Sequence, residues 1–245
     1  MYRLYRRQWL ARGYADPRAS EVAAPPPAKG FHRVYHLCKA QHAIENIESS
    51  RLKVATFKDC NDPFELSIFY SKRPDQQQRL KAFIDNHVSD RVGVVCFSED
   101  WSDPVLWSHY ADKHQGVALG FDVFKGDLLR VKYQMRRAKF PTNPTKRHVD
   151  KILGTKFKSW EYERERRIMV ELASAEIDGG LKFERFGAHV VLREVILGPL
   201  CAEDVATIRT KVDGIHSGVT TFKAELAERS FKVIASRSSI IKRSP

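Results

Sequence analysis

Polar and apolar residues alternate along several short stretches of the chain, a pattern typical of β-strands. Other stretches space apolar residues three or four positions apart, as Ala43, Ile44 and Ile47 are, which predicts short amphipathic helices. The predicted strands are residues 31–37, 51–57, 91–98, 116–123, 128–135, 164–172, 181–186, 190–198 and 230–236. The predicted helices are residues 39–51, 74–89, 104–114, 145–159 and 202–213. Because regular βαβ alternation, a GxGxxG segment and a P-loop are all missing from the sequence, the pattern predicts an α+β fold.

The first 30 residues differ from the rest of the chain in pattern. They end in "EVAAPPPAKG", and three consecutive prolines can neither continue a helix nor join the interior of a sheet. We therefore predict a basic, proline-rich arm and linker over residues 1–30. Residues 31–245 are predicted to form a single α+β domain of catalytic type.

The composition of the chain limits the cellular compartment and the class of protein that the sequence predicts. The 245 residues are 42% hydrophobic, yet no apolar run approaches the ~20 residues that span a bilayer. The Arg-rich beginning has no continuous apolar segment of the kind found in secretory signals. The four cysteines are far apart and form no CxxC pair, so a reducing cytoplasm is predicted. His32, His36, Cys38 and His42 could in principle bind a zinc ion, but no second pair has zinc-finger spacing, and we expect no metal.

Charge is distributed unevenly along the chain, whose net charge is +12. Residues 130–167 contain 13 Lys/Arg and four Asp/Glu, a net charge of +9, and residues 1–30 carry a further net +4. Such a local excess predicts binding to a polyanion, although it could also be a solvated face. The residues predicted to bind nucleic acid are Arg136, Arg137, Lys139, Lys146 and Arg147.

Three ring side chains crowd into the predicted helix "PVLWSHYADKH". Trp107 and Tyr110 are three positions apart and share a helix face, whereas His109 points elsewhere. The rings could simply fill the core. Alternatively, the Tyr110 ring could be a stacking platform for a planar heterocycle.

The stretch "WEYERERRIMVEL" places two carboxylates immediately before an apolar strand. If strand pairing has begun there, Glu163 and Glu165 project from one face and could stabilise a developing cation or hold a metal ion. They could instead form a charged edge, balanced by neighbouring arginines. In "NDPFE", Asp62 and Glu65 belong either to a turn or to a pocket. His36, in the first strand, is either structural or a ligand contact.

Several blocks of the sequence resemble a bacterial family described as domain of unknown function 2971. The blocks are "NDPFE", "LWSHYADKHQG" and "WEYERERR", and the resemblance covers residues 31–235. The family name implies no activity.

The same blocks resemble the catalytic core of ADP-ribosyltransferases of the diphtheria-toxin and poly-ADP-ribose-polymerase type. In "VYHLCKAQHAIENIESSRL", His36 matches the family's histidine, although Leu37 stands where the family has glycine. Tyr110 matches the stacking tyrosine, and Glu165 matches the glutamate that opens a later strand. The resemblance implies a split β-sheet core with short surrounding helices.

The resemblance further implies an NAD-dependent ADP-ribosyltransferase, acting as a toxin or a phage-defence effector. Glu165 and Glu163 would be catalytic, and NAD would bind to His36, Tyr35, Trp107, His109 and Tyr110. The net charge of +9 in the segment that contains Glu165 would suit a nucleic-acid acceptor, DNA or RNA, and an inhibitory partner protein is a further expectation. On this hypothesis, Glu165→Gln leaves folding nearly intact and reduces NAD turnover about a hundredfold.

Two alternatives treat the same residues differently. In the first, the chain is a non-catalytic nucleic-acid-binding module, and His36, Tyr110 and Glu165 are structural. In the second, it is a metal-dependent nuclease that uses Asp62, Glu65, Glu163 and Glu165.

Overall fold

The computed structural model describes residues 23–236, except for the side chain of Lys58. Its strands are β1 Phe31–Cys38, β2 Arg51–Lys53, β3 Phe69–Tyr70, β4 Val92–Ser98, β5 Val117–Phe124, β6 Leu128–Arg130, β7 Lys132–Gln134, β8 Ala138–Lys139, β9 Thr155–Phe157, β10 Glu165–Glu171, β11 Glu176–Asp178, β12 Leu181–Arg185, β13 Val190–Leu197, β14 Thr220–Leu226 and β15 Val233–Ala235. Its α-helices are α1 Ala40–Ser49, α2 Pro74–Ile84, α3 Pro104–Tyr110, α4 Lys146–Leu153 and α5 Val205–Asp213. The predicted α+β class is confirmed.

The largest sheet has eight strands in the order β15-β14-β13-β5-β1-β4-β10-β6. Its pairings are antiparallel except that of β13 with β14, which are parallel and are connected through α5. Three smaller sheets, β11-β12-β2, β3-β8 and β7-β9, lie outside it. None of the helices in the described part of the chain is long and apolar enough to cross a membrane.

Both faces of the large sheet are covered. The central strand β5, "VALGFDVF", is buried at every position but its last, as expected for a strand packed on both sides. On one face, its Leu119 and Phe121 lie in a core with α1 and α5. On the other face, Ala118 packs with Trp107 of α3. Helix α3 is therefore fixed to the sheet through its tryptophan.

The structure differs from the predicted elements mainly after residue 127. The helix predicted over 145–159 ends at Leu153, because Gly154 follows and Thr155–Phe157 pair as β9 with β7. Two short strands, β6 and β7, replace the single strand predicted over 128–135. Strand β14 was not predicted at all.

Most of the predicted N-terminal arm lies outside the described residues, which begin at 23. The backbone N–H of Ala24, which is buried, donates to Oε1 of Glu194 on β13 at 2.8 Å. Arg33 donates to the carbonyl oxygen of Pro25 at 2.9 Å. Ala24 and Pro25 of the predicted linker thus lie against the sheet.

Candidate functional site

His36 is not brought together with Tyr110 and Glu165. Tyr35, Ser98 and Glu165 are register partners across β1, β4 and β10, so their side chains begin on the same face of the sheet. His36, the next residue along β1, begins on the opposite face. Its ring centroid lies 6.0 Å from that of the core residue Phe97, and its Nδ1 lies 3.0 Å from the carbonyl oxygen of Cys96.

The surroundings of His36 are those of a structural histidine. Burial lowers its pKa below the usual value, although the hydrogen bond to the Cys96 carbonyl opposes this shift. The neutral ring donates one hydrogen bond within the sheet, a role that needs no ligand.

We expect His36 to make folding stability depend on pH. The folded chain holds His36 neutral at pH values where the unfolded chain already protonates it, so the free energy of unfolding falls as the pH drops below about 6.5. His36→Gln keeps a hydrogen-bond donor and removes the titration. Between about pH 5 and 7, the free energy of unfolding measured in urea should change less steeply with pH in this variant than in the wild-type protein, by up to about 1.4 kcal/mol per pH unit. Equal slopes in the wild-type protein and in His36→Gln would contradict the assignment.

Tyr110 and Glu163 are in direct contact. The Tyr110 hydroxyl donates to Oε1 of Glu163, and Lys156 Nζ donates to Oε2 of the same carboxylate at 2.7 Å. Glu163 closes a 3-10 helix, Lys158–Glu163, and Arg164 then turns the chain through a left-handed conformation into β10. Burial raises the pKa of Glu163 above its usual range in spite of Lys156.

Glu165 belongs to a second, fully buried ion-pair group. Arg167, which is 1% exposed, donates to Glu165 Oε1 at 2.7 Å and to Glu65 Oε1 at 2.7 Å, and it also binds the carbonyl oxygen of Leu153. Burial opposes ionisation of Glu165, but Arg167 outweighs it and holds the pKa of this carboxyl below its usual range. Lys156 Nζ lies 3.3 Å from Glu165 Oε2 and joins the two groups.

These contacts do not fit the nuclease hypothesis. Lys156 and Arg167 lie where a metal ion would have to meet the carboxylates of Glu65, Glu163 and Glu165. Among residues 23–236, no group of three or more His, Cys, Asp or Glu side chains is arranged to hold a metal ion. One oxygen of Asp62 accepts a hydrogen bond from the backbone of Phe64 within its own turn.

Four rings, which we call the aromatic cluster, lie beside one another near Glu163, to which Tyr110 is bound; they are His109, Tyr110, Trp160 and Tyr162. The Tyr162 hydroxyl and His109 Nδ1 are 2.9 Å apart, and the rings of Trp160 and Tyr162 lie 6.2 Å apart at 33°. Sequence analysis singled out only His109 and Tyr110. The neighbouring "WEY" was visible beside the acids, but only the 3-10 helix brings its rings against α3.

Two other residues predicted to bind NAD lie elsewhere. Trp107 is fully buried, and its Nε1 donates to the carbonyl oxygen of Trp101 at 2.5 Å, so it anchors α3 to the core. Tyr35 contacts Arg33 and Glu194 on the central strands, where burial raises the pKa of its hydroxyl.

The positive charge collects on what we call the basic lobe, residues 66–89 and 135–153. Helices α2 and α4 and the β3-β8 pair enclose a small core of Ile68, Phe69, Phe140 and Ile152. The lobe contains ten Lys/Arg and three Asp, and all ten cations are exposed. Within the described chain, these cations form one ion pair, Arg73 with Asp75.

The charged segment predicted from the sequence overlaps this lobe only in part. Five cations of residues 130–167 are paired with carboxylates; they are Lys156, Lys158, Arg164, Arg166 and Arg167. Arg137 donates to the carbonyl oxygens of Ser67 and Phe69 and so holds the edge of β3. Arg136, Lys139, Lys146 and Arg147 are exposed, as binding to a polyanion requires.

No family model, curated protein or solved structure matches this chain. The two resemblances described above therefore remain predictions that rest on short sequence blocks.

Proposed function

We propose that the protein binds nucleic acid through phosphate contacts of the basic lobe. The observation that carries this proposal is the set of ten exposed cations against three carboxylates on one packed unit. Because a single ion pair compensates this charge within the described chain, the lobe has a positive field that attracts a polyanion. Phosphate contacts position a nucleic acid without reading its sequence.

The test is a titration of fluorescently labelled DNA and RNA strands, followed by anisotropy. We expect binding to strands of unrelated sequence with similar affinity, because the contacts are made to phosphates. Absence of binding at about 50 mM salt, where such contacts are strongest, would rule the proposal out.

A second candidate, ADP-ribosyl transfer from NAD, is favoured by the contact between Tyr110 and Glu163. In this reaction the bond between nicotinamide and ribose C1′ breaks, and nicotinamide leaves with the electron pair. An acceptor oxygen or nitrogen then bonds to C1′ and loses its proton to solvent. A carboxylate stabilises the cationic ribose, and an aromatic ring stacks on nicotinamide.

This candidate assigns the carboxylate role to Glu163, because Glu163 contacts Tyr110, and not to Glu165, which is paired with Arg167. Glu163 is itself paired with Lys156. In this candidate, the predicted contact between His36 and NAD is absent, because His36 begins on the opposite face of the sheet. An ADP-ribosyltransferase-like core, a toxin or phage-defence role and an inhibitory partner would all follow from this candidate alone.

Release of nicotinamide from NAD, measured with an oligonucleotide acceptor and a chelator present, tests the second candidate. Turnover by the wild-type protein should fall about a hundredfold or more in Glu163→Gln, the loss expected for one preorganised charge. Tyr110→Phe keeps the ring and should retain NAD binding. If the wild-type protein leaves NAD intact, only the binding function stands.

A further inference from the structure

We propose that the aromatic cluster binds an unpaired nucleobase, and that the ligand of the basic lobe is therefore a single strand. This inference rests on the proposed nucleic-acid binding and specifies its substrate. Proteins that bind single strands combine a positive surface along the backbone with aromatic rings on which bases stack. The bases of a duplex are already stacked and paired, so they cannot enter such a cluster without being flipped out.

The rings are held in place by polar groups beneath and beside them. The Tyr110 hydroxyl is bound to Glu163, and the Tyr162 hydroxyl pairs with His109. Lys156 Nζ lies 4.8 Å from the centroid of the Trp160 ring, a cation–π contact from the buried side. Trp160 and Tyr162 remain half-buried, so part of each ring faces solvent in a fixed orientation.

An amide group lies at the edge of the cluster. Asn61 donates to the Tyr110 hydroxyl oxygen at 3.2 Å, and its side chain is exposed. An exposed amide can both donate a hydrogen bond to the edge of a base and accept one from it, so it can bond to each of the four bases. Stacking with such a contact gives affinity for bases and little sequence preference.

The chain connects this cluster directly to the basic lobe. Asn61 contacts Tyr110, and six residues later the carbonyl oxygen of Ser67 accepts a hydrogen bond from Arg137 of the lobe. Six residues span at most about 20 Å. Two turns, Glu65 N–H to Asp62 and Ser67 N–H to Phe64, make the path shorter. A strand whose phosphates lie on the lobe can therefore place a base in the cluster within a few nucleotides.

The test compares ligands of about 12 nucleotides, within the site size of single-strand-binding domains. Dissociation constants are measured by anisotropy for a single strand, the same strand without bases, its duplex, and AMP as a competitor. The wild-type protein should bind the intact strand about tenfold more tightly than the abasic strand, because one stacked base contributes on that scale. The duplex should bind like the abasic strand, and AMP should compete weakly since it lacks the phosphates that reach the lobe.

Variants assign the preference to the cluster. Trp160→Ala should bind the intact and abasic strands equally, and Trp160→Phe, which keeps an aromatic face, should restore most of the difference. Phe231→Ala is the matched control, because Phe231 is an exposed ring (96%) outside the cluster and its loss should change nothing. Thermal melts confirm that each variant is folded. If Trp160→Ala is not, the comparison of intact, abasic and duplex ligands on the wild-type protein decides whether a base is bound.

The outcomes separate this inference from the function on which it rests. If intact, abasic and duplex ligands bind the wild-type protein equally, phosphate binding stands and the base site is overturned. An unchanged preference for the intact strand in Trp160→Ala also overturns it. AMP that binds as tightly as the strand would reassign the cluster to free nucleotides. If no ligand binds, both proposals fall.

Discussion

Arg167→Met is expected to lower the free energy of unfolding by about 3–5 kcal/mol, the range measured when one partner of a buried ion pair is removed. Arg167 is 1% exposed and binds both Glu65 and Glu165. Methionine fills a similar volume but leaves two buried carboxylates without their main counter-charge. Such groups cannot regain water without opening the structure.

Urea unfolding of Arg167→Met and Arg164→Met measures this difference. Arg164 forms a more exposed ion pair with Asp100 at 3.3 Å, and its loss should cost between 0 and about 1 kcal/mol. Similar small losses in both variants would mean that Arg167 is not the centre of a buried group. By the same reasoning, Glu165→Gln should now destabilise the fold, which replaces the expectation from sequence that it leaves folding intact.

Replacing Arg136, Lys139, Lys146 and Arg147 together by alanine should weaken binding to a single strand about a hundredfold or more at about 50 mM salt. Each cation that contacts a phosphate releases a condensed counterion, and the free energy of this release is greatest at low salt. All four side chains are exposed, so their loss should leave folding nearly unchanged.

The control removes equal charge elsewhere. Lys39, Lys53, Lys125 and Arg229 are exposed and lie outside the basic lobe. Their replacement by alanine should change the affinity only through the lower net charge. This change should be much smaller than the change in the lobe variant. Equal losses in the two quadruple variants would show that total charge and not the lobe determines binding.

The fold was predictable where local pattern and long-range pairing agree. Strand β1, helix α1 and the buried strand β5 have clear local patterns, and the structure has them where the patterns place them. The strand predicted over 51–57 is shorter and ends at Lys53. Strand β14 was missed although its sequence, "TTFKAEL", alternates apolar and polar residues as a strand does; only its parallel pairing with β13 across α5 has no local signal. Residues 155–157 resembled the end of a helix, but pairing with β7 makes them a strand.

The site was predictable only in its residue types. Tyr110 and Glu163 were both singled out, and they are in contact because the 3-10 helix returns the chain to α3. The side of the sheet taken by His36 depends on register, and the neutralisation of Glu165 depends on Arg167 two positions along the same strand face. Only part of the basic lobe could be predicted from the sequence. Helix α2 is nearly neutral and so gives no charge signal, and it meets α4 only in the folded chain, through the shared apolar core.

The most direct test of the central claim is the dependence of single-strand affinity on salt, compared between the wild-type protein and the Arg136, Lys139, Lys146 and Arg147 variant. We predict that the logarithm of the association constant falls linearly with the logarithm of salt concentration for the wild-type protein. Each phosphate contact adds about 0.7 to this slope on a single strand, so the variant's slope should be smaller by about 3. Identical slopes in the two proteins would contradict the account, because the lobe would then make no contact with the phosphates.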